Sequence, residues 1–195
     1  MTYITYKITF FSEWHCGSGL TSGSDLDSLV IKDKDNFPFI PGKTLKGLLK
    51  EAAEEIIKLR GKEPVNEPFI TDFFGFFDDK EQGKSEVHTK GKAFFTDATI
   101  SPELKSKVTK ELTEFFYRDM ASTSIGDNGI AKEHSLRKME TTIPCELLAN
   151  IYGVDKKYTE DLTKCLQWIK RLGQNRNRGL GRCKFEIIET KEANQ

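Results

Sequence analysis

The sequence lacks the features that mark several common classes of protein. Its four cysteines form no Cys-x-x-Cys pair, so we expect reduced thiols that act as small hydrophobic side chains, and neither a disulfide framework nor a zinc site. No apolar run approaches the length of a membrane span, and the first residues follow an alternating strand pattern rather than that of a signal peptide. We therefore expect a cytoplasmic protein that makes no contact with a membrane.

The chain also lacks a net charge, because its 195 residues include 30 basic and 30 acidic side chains. A neutral total argues against a protein that coats nucleic acid over its whole surface, but it is compatible with a local basic site. Between Leu162 and Phe185 the charged residues are all basic: Lys164, Lys170, Arg171, Arg176, Arg178, Arg182 and Lys184. This segment is the best candidate for contact with an anionic partner.

Hydrophobic periodicity predicts an α+β fold. Alternation over 4–10 predicts a strand, and apolar stripes over 41–59 and 158–172 predict two amphipathic helices. Further strands are predicted at 28–31, 93–100, 115–126, 141–152 and 185–187. This order fits a ferredoxin-like (RRM-like) βαββαβ core in a single domain over 1–195, with polar insertions near 78–91 and 122–136.

Several aromatic and histidine residues are assigned to the core or to the surface. Trp168 lies beside the apolar stripe of the second helix, so we expect it in the core or at its edge. The phenylalanines between 69 and 77 could stack on bases, but clustered phenylalanines are more often core. His88 and His134 lie in polar stretches and are expected at the surface.

The strongest functional signal is the segment 173–182, Gly-Gln-Asn-Arg-Asn-Arg-Gly-Leu-Gly-Arg, which follows the second helix. Its glycines let the backbone approach a ligand closely, and its arginines can hold phosphate oxygens in two-point contacts. Successive backbone N–H groups would add an anion-binding concavity. The alternative is a glycine-rich turn whose arginines are merely solvated.

A second signal lies where Pro41–Gly42 opens the first helix. The free N–H groups and positive dipole end of a helix N-terminus can receive a phosphate, and Lys43, Thr44 and Lys46 lie in the first turn. Ordinary capping by Thr44, with both lysines in water, is the alternative. Gly47 destabilises the helix relative to alanine, which suggests close approach by another backbone or by RNA.

A third signal is the glycine-rich loop 15–19, followed by Asp25 and Asp27. An aspartate beside RNA could hold a divalent metal or position an attacking 2′-hydroxyl. The residues alone favour a different interpretation, a turn in which Ser, Gly and Asp cap their own backbone. Two aspartates are too few for a metal site unless further ligands or substrate phosphates complete it.

Taken in order, these segments resemble the RAMP superfamily of CRISPR proteins. The similarity rests on a His-x-Gly-x-Gly-like loop (15–19), Asp-Ser-Leu-Val-Ile-Lys-Asp (27–33), Ile-Pro-Gly-Lys-Thr-Leu-Lys-Gly (40–47), Phe-Gly (74–75), Phe-x-Asp-Ala (95–98) and Arg-Gly-Leu-Gly-Arg (178–182). Within that superfamily the chain most resembles the repeated backbone subunit of type III (Csm/Cmr-type) effector complexes.

The resemblance implies a subunit that grips crRNA along its backbone, meets target RNA and other effector subunits, and self-associates as a filament. It implies a thumb-type hairpin at 122–136. The RNA-binding residues it implies are His15, Lys43, Thr44, Lys46, Arg176, Asn177, Arg178, Gly179, Gly181 and Arg182. It also implies endoribonuclease cleavage of target RNA by a divalent metal, Mg or Mn, held by Asp27, with Asp25 as a second candidate.

Two alternatives remain open from the sequence. One is a CRISPR RNA-processing endoribonuclease of the same superfamily, which usually acts without metal and often through a histidine; His15 is the one histidine in a plausible site. The other is a non-catalytic capping or scaffold subunit. Cleavage in EDTA favours the first, and a single copy per complex favours the second.

Overall fold

The computed structural model describes residues 2–22, 26–63, 67–77 and 88–192, and it has a mixed α+β architecture. The strands are β1 (Thr2–Phe10), β2 (Phe39–Ile40), β3 (Gly75–Phe77), β4 (His88–Lys90), β5 (Phe94–Phe95), β6 (Ala98–Thr99), β7 (Tyr117–Ser122), β8 (Arg137–Thr142), β9 (Glu146–Val154) and β10 (Cys183–Glu192). The α-helices are α1 (Gly42–Leu59), α2 (Pro102–Lys107) and α3 (Thr159–Trp168), with shorter helical turns at Phe69–Phe74, Lys110–Phe116, Lys156–Tyr158 and Arg176–Arg178.

The main sheet is antiparallel and has the strand order β10-β1-β9-β6-β2, with β5 also paired to β9. The alternation predicted for β1 is confirmed, since Ile4, Tyr6 and Ile8 are fully buried. These side chains share one hydrophobic core with the apolar residues of α1 and α3.

Helix α1 begins and ends close to the predicted residues. Leu45, Leu49 and Ala52 are buried at three- and four-residue spacing, which gives the helix one apolar face. At its start the backbone lies directly against β5, because a Cβ on Gly42 would stand 2.3 Å from the carbonyl oxygen of Phe95. The Pro-Gly sequence is therefore required by packing at this point.

Other predicted elements differ in their bounds. The strand predicted over 141–152 is two strands, β8 and β9, separated around Pro144, which has no N–H to donate to a ladder. The strand predicted over 93–100 consists of two short strands in sequence, β5 and β6, which each pair with β9. Residues 28–31 make isolated bridges only. Helix α3 ends at Trp168, and Ile169 is already extended.

Helix α2 was not predicted, although the sequence contains its start signal. Ser101 accepts a hydrogen bond from the Leu104 N–H at 3.2 Å, and Pro102 occupies the first helical turn. The helix exposes nearly all of its side chains, so it has no apolar stripe to reveal it. Capping residues would have been the one usable signal.

The two predicted insertions differ in how much of them the structure describes. Strands β7 and β8 pair from Tyr117–Thr142 to Ser122–Arg137, and the mostly exposed residues 123–136 between them cover nearly all of the range predicted for the second insertion. Most of the first insertion, 78–91, lies outside the described residues, apart from β4 and Gly91.

The cysteines behave as small hydrophobic residues, as expected. Cys16, Cys165 and Cys183 are buried, and burial raises the pKa of the Cys16 thiol to about 11 and that of Cys165 to about 12. The phenylalanines at 69, 73 and 74 are also core residues, as predicted. In the described ranges, no helix is long and apolar enough to cross a membrane.

Candidate nucleic-acid interface

Strand β8 brings together two loops that are candidates from the sequence. Trp14 exchanges backbone hydrogen bonds with Thr142, at 3.0 and 2.8 Å. Further along the strand, the Asp27 N–H donates to the carbonyl oxygen of Lys138 at 2.8 Å, and the Glu140 N–H donates to that of Ser28 at 2.9 Å. The loop around His15 and the loop around Asp27 therefore lie side by side.

His15 is fully buried between these loops. Its Nδ1 lies 2.6 Å from the carbonyl oxygen of Glu140, which can only accept, so Nδ1 donates in this hydrogen bond. Its Nε2 forms a second hydrogen bond, with the Ser28 hydroxyl at 3.0 Å. Both ring nitrogens are therefore used inside the protein, and the expectation that His15 binds RNA stays a prediction.

Glu140 is a second buried residue that fixes the loop after Asp27. Its carboxylate accepts from the Val30 N–H at 3.0 Å and from the Lys32 ammonium group at 2.7 Å. Sequence reasoning missed Glu140, since it lies more than 100 positions from the residues that it holds. Nothing local in the sequence separates it from a solvated glutamate.

Asp27 keeps its carboxylate at the surface, with 49% of the side chain exposed. Its Oδ2 accepts from the Lys138 N–H at 2.8 Å, and the Arg137 guanidinium group lies 3.9 Å from Oδ1. Asp25, the second candidate, lies outside the described residues. Asp27 is therefore anchored to the loop end of the β7–β8 ladder, with about half of its side chain exposed to solvent.

The donor set around Asp27 limits the kind of metal site that it can form. Among the described residues, no group of three or more His, Cys, Asp or Glu side chains is placed to hold a metal ion. Mg²⁺ is commonly bound by one or two carboxylates together with substrate phosphates and water. One surface carboxylate fits that arrangement when RNA supplies the remaining ligands, and it does not fit an all-protein cage.

The C-terminal segment 173–182 closes onto the loop that holds His15. The Gln174 N–H donates to the carbonyl oxygen of His15 at 2.9 Å, and the Gly181 N–H donates to that of Glu13 at 2.7 Å. A Cβ on Gly173 would stand 2.4 Å from the His15 carbonyl oxygen, at a backbone φ of +97°. Two of the glycines are thus required by the chain's own packing.

The side chains predicted to bind phosphate are presented to solvent. Arg176, Asn177 and Arg178 form an exposed helical turn between Asn175 and Gly179, which both have left-handed backbone. The Asn175 amide nitrogen also lies 3.1 Å from the sulfur of Met139 on β8. Arg182 is exposed where β10 begins, with its guanidinium carbon 5.9 Å from the centre of the Phe11 ring.

The N-terminus of α1 already has an anionic partner within the chain. The Gly42 N–H donates to the Asp97 carboxylate at 2.7 Å, which sequence reasoning did not identify. Lys43 and Thr44 are exposed, and Thr44 provides no side-chain cap. Lys46 is partly buried, and this desolvation, with Lys50 and Lys90 nearby, lowers its pKa.

A groove separates α1 from the arginine-bearing turn, and we call it the α1 groove. Its volume is about 290 Å³, and its lining includes Glu51, Glu55, Trp168, Lys170, Arg176 and Asn177. Thr44 and Gly47 lie about one turn earlier on the same side of the helix. The first helix and the C-terminal loop therefore converge, but two carboxylates lie between them.

Trp168 is part of this groove and not of the core. Its side chain is 45% exposed, and its indole N–H donates to the Glu55 carboxylate at 2.7 Å. Of the two expected positions, in the core or at its edge, Trp168 takes the one at the edge: α3 ends at this residue, and the neighbouring Ile169 is the one that is buried.

Comparison with known proteins gives a family and a fold. Residues 7–184 match the family model described as the RAMP superfamily. A chain of "Cryo-EM structure of the Type III-B Cmr-beta bound to cognate target RNA" is similar, with a TM-score of 0.67, 11% identity, and coverage of 95% of this chain and 96% of that chain. A chain of "Type III-B Cmr-beta Cryo-EM structure of the Apo state" gives a TM-score of 0.64, 13% identity, and coverage of 96% and 97%.

At these identities the two structures show the fold alone. The sequence matches none of the curated proteins with which it was compared.

Proposed function

Because the chain belongs to the RAMP superfamily, we propose that it is an RNA-binding backbone subunit of a type III CRISPR effector complex. The observation that carries this proposal is the convergence on one side of the molecule of Asp27, the exposed arginine turn and the outer face of α1. The likeness to chains of type III-B Cmr-beta structures, one of them bound to cognate target RNA, supports it.

The topology supports a ferredoxin-like core for this subunit. In the order β10-β1-β9-β6, every strand pairs antiparallel with its neighbours. Helix α1 follows β1 and β2, and α3 lies between β9 and β10 in sequence, so the two helices occupy the positions of a βαββαβ unit. The β7–β8 hairpin over 117–142 supports the assignment of a thumb-type element there.

We propose that crRNA passes along the line from Asp27 to the α1 groove. The guanidinium groups of Arg176 and Arg178 would hold phosphates in two-point contacts, and Lys43 extends the positive potential along α1. Neutral overall charge is compatible with this role, since acidic faces can meet basic faces of neighbouring subunits in a filament. Other effector subunits and target RNA are the further partners of this proposal.

Removing the two arginines is the direct test of the RNA-binding role. The variant Arg176→Ala/Arg178→Ala is expected to bind single-stranded RNA about tenfold more weakly, because charged hydrogen bonds contribute about 1.5–3 kcal/mol each before solvent screening reduces them. The slope of log affinity against log salt concentration should also become less negative by about 1.4, because two phosphate contacts are lost and each contributes about 0.7 to the slope. Fluorescence anisotropy over a salt series measures both quantities.

A matched variant, Lys107→Ala/Lys156→Ala, removes the same charge from exposed sites outside the groove. It should leave both the affinity and the salt slope near those of the parent chain. Equal losses in the two variants would assign the effect to overall charge and count against the proposed interface.

We further propose that Asp27 takes part in metal-dependent cleavage of target RNA. A bound Mg²⁺ or Mn²⁺ would stabilise the charge that develops on phosphate oxygens. The chain's own contribution is to hold the Asp27 carboxylate in place through the Lys138 N–H, at the loop end of the β7–β8 ladder. Asp25 remains a second candidate for the same role.

The two alternatives differ in how well the structure fits them. An RNA-processing enzyme acting through His15 is disfavoured, because the ring is enclosed and both nitrogens are bonded. A capping subunit is distinguished by its copy number. Native mass spectrometry of the purified complex is expected to find several copies of this chain, whereas one copy would support the capping role.

A further inference from the structure

We propose that the α1 groove receives one unpaired nucleobase of the bound RNA, stacked on Trp168 with its N–H edge facing Glu51, and that guanine is the preferred base. This inference rests on the proposed RNA-binding function and adds to it a base-specific subsite. It starts from the two carboxylates between α1 and the arginine turn, which a site for phosphates alone would not contain.

The carboxylates decide which part of a nucleotide can enter. Glu51 and Glu55 are four residues apart and lie on the same side of α1. A phosphate placed beside them would be repelled, since like charges at close range are unfavourable. A base edge carrying N–H groups is attracted instead, because an ionised carboxylate can only accept hydrogen bonds.

Glu51 is the carboxylate that is available for such an edge. In the described part of the chain it makes no ion pair or side-chain hydrogen bond, and it is exposed to solvent. Glu54, which is on the same helix, is by contrast placed 4.0 Å from Lys50. The Glu55 carboxylate already accepts a hydrogen bond from the Trp168 indole N–H. Of the two carboxylates in the groove, Glu51 is therefore the one that can accept hydrogen bonds from a base.

Trp168 supplies the stacking surface. Its hydrogen bond to Glu55 at 2.7 Å fixes the orientation of the indole ring. Trp168 is 45% exposed and lines the groove, and among the described residues no aromatic ring or cation lies over its indole, so the ring is accessible to a ligand. Stacking of a base on an aromatic side chain stabilises a bound single strand, and it does so without demanding a particular sequence.

The opposite wall of the groove carries basic side chains, which can contact the phosphates on either side of the base. Lys170, Arg171 and Arg176 lie along this wall. The Arg171 guanidinium group donates to the carbonyl oxygen of Arg176, which fixes the turn relative to the end of α3. The groove volume of about 290 Å³ is at the lower end of ligand pockets, which suits one base and not a duplex.

The arrangement of hydrogen-bond donors on each base determines which base the Glu51 carboxylate prefers. Guanine presents two adjacent donors, N1–H and the N2 amino group, to the two oxygens of one carboxylate. Uracil presents a single N3–H between two carbonyl oxygens, which a carboxylate repels. A good two-point contact between a side chain and a base is associated with about 1–3 kcal/mol of discrimination, so we expect guanine to bind about tenfold more tightly than uracil.

Tryptophan fluorescence provides a selective readout, because the chain contains two tryptophans in different surroundings. Trp14 is fully buried and stacks on Phe10, with ring centres 4.4 Å apart. Quenching by RNA therefore reports on Trp168. The probes are RNA heptamers of equal charge: seven uridines, three uridines on each side of a guanosine, and the same strand with an abasic centre.

All three heptamers are expected to raise the anisotropy of a labelled strand, since each offers the same phosphates. The guanosine heptamer should quench Trp168 and bind about tenfold more tightly than the uridine heptamer, and the abasic strand should quench least. Glu51→Gln should remove most of the guanosine preference, and it should bind the uridine heptamer at least as tightly as the parent chain, because the carboxylate no longer repels the uracil carbonyl oxygens. Glu54→Gln is the matched control, with the same change of charge on the same helix but outside the groove.

The outcomes separate this inference from the function on which it rests. Binding of all heptamers with equal affinity and no quenching would overturn the base subsite and leave RNA binding intact. Failure of all heptamers to bind would overturn the proposed function itself. A blue shift of Trp168 emission that grows with protein concentration in the absence of RNA would assign the groove to a second copy of the chain, and would also overturn the subsite.

Discussion

Asp27→Asn in the assembled effector complex is expected to lower the rate of target RNA cleavage by at least about 100-fold, while crRNA loading and target binding stay within about twofold. The substitution removes the charge with which Asp27 would hold a divalent cation, and such an ion can supply several kcal/mol of transition-state stabilisation. The measurement is single-turnover cleavage of a labelled target in Mg²⁺ or Mn²⁺, beside a gel-shift assay of binding.

Asparagine is the informative replacement because of the local hydrogen bond. The Asp27 Oδ2 accepts from the Lys138 N–H at 2.8 Å, and an amide oxygen can accept the same bond. The loop end of the β7–β8 ladder should therefore keep its structure, whereas Asp27→Ala would lose the anchor together with the charge. Unchanged thermal stability of Asp27→Asn would confirm that the two effects have been separated.

Asp155→Asn is a matched control for this experiment. Asp155 also accepts a backbone hydrogen bond, from the Lys157 N–H at 3.2 Å, and it lies before α3 rather than at the hairpin. The control should cleave at the parent rate. If Asp27→Asn cleaves equally fast, Asp27 has no part in the reaction.

Elements with a strong local period could be predicted from the sequence. The alternation in β1 and the apolar stripe of α1 each depend only on residues that are close together in the sequence. Both elements lie at nearly the predicted residues. The glycine-rich loop was also identified, because Gly173 and Gly181 stand out in composition before any contact is known.

The contacts that build the site could not be predicted in the same way. His15 and Glu140 lie 125 positions apart, and nothing near either residue indicates that one accepts a hydrogen bond from the other. The cap of α1 by Asp97 is separated by 55 positions. Such pairs depend on how the strands are ordered, so a sequence that predicts the elements still leaves the direction of these side chains undecided.

Trp168 shows how a small error in an element's bounds changes a functional assignment. The apolar pattern continues through Ile169 and Leu172, which predicted a helix to 172 with Trp168 at the core edge. The helix ends at Trp168, and Ile169 is buried in an extended conformation. The tryptophan is thereby left on the groove wall, where it is the residue most able to contact a base.

Gly181→Ala is expected to lower the free energy of unfolding by at least about 3 kcal/mol, the largest stability effect that we predict. An added Cβ would stand 1.8 Å from the carbonyl oxygen of Leu172. The two residues are also tied by a hydrogen bond of 2.9 Å from the Leu172 N–H to the Gly181 carbonyl oxygen, so they cannot separate without losing it. Overpacking and left-handed backbone contribute about 1–3 and about 1–2 kcal/mol respectively.

Two further glycines separate these contributions. Gly179 has a φ of +93° with no atom within 4 Å of an added Cβ, so Gly179→Ala should cost about 1–2 kcal/mol through backbone strain alone. Gly47 is helical and also open, so Gly47→Ala should stabilise the chain by up to about 1 kcal/mol. Urea unfolding of the three variants, followed by RNA binding at low denaturant, measures the series.

The order of the three variants is the test of whether the arginine turn is held by packing. Gly181→Ala should lose RNA affinity as well as stability, because the same contact sets the position of Arg176 and Arg178 relative to β8. Gly179→Ala should lose less of both. If Gly181→Ala is as stable as Gly179→Ala, then the loop can move away from Leu172 at little cost, and a preformed site for phosphates in this segment has no physical basis.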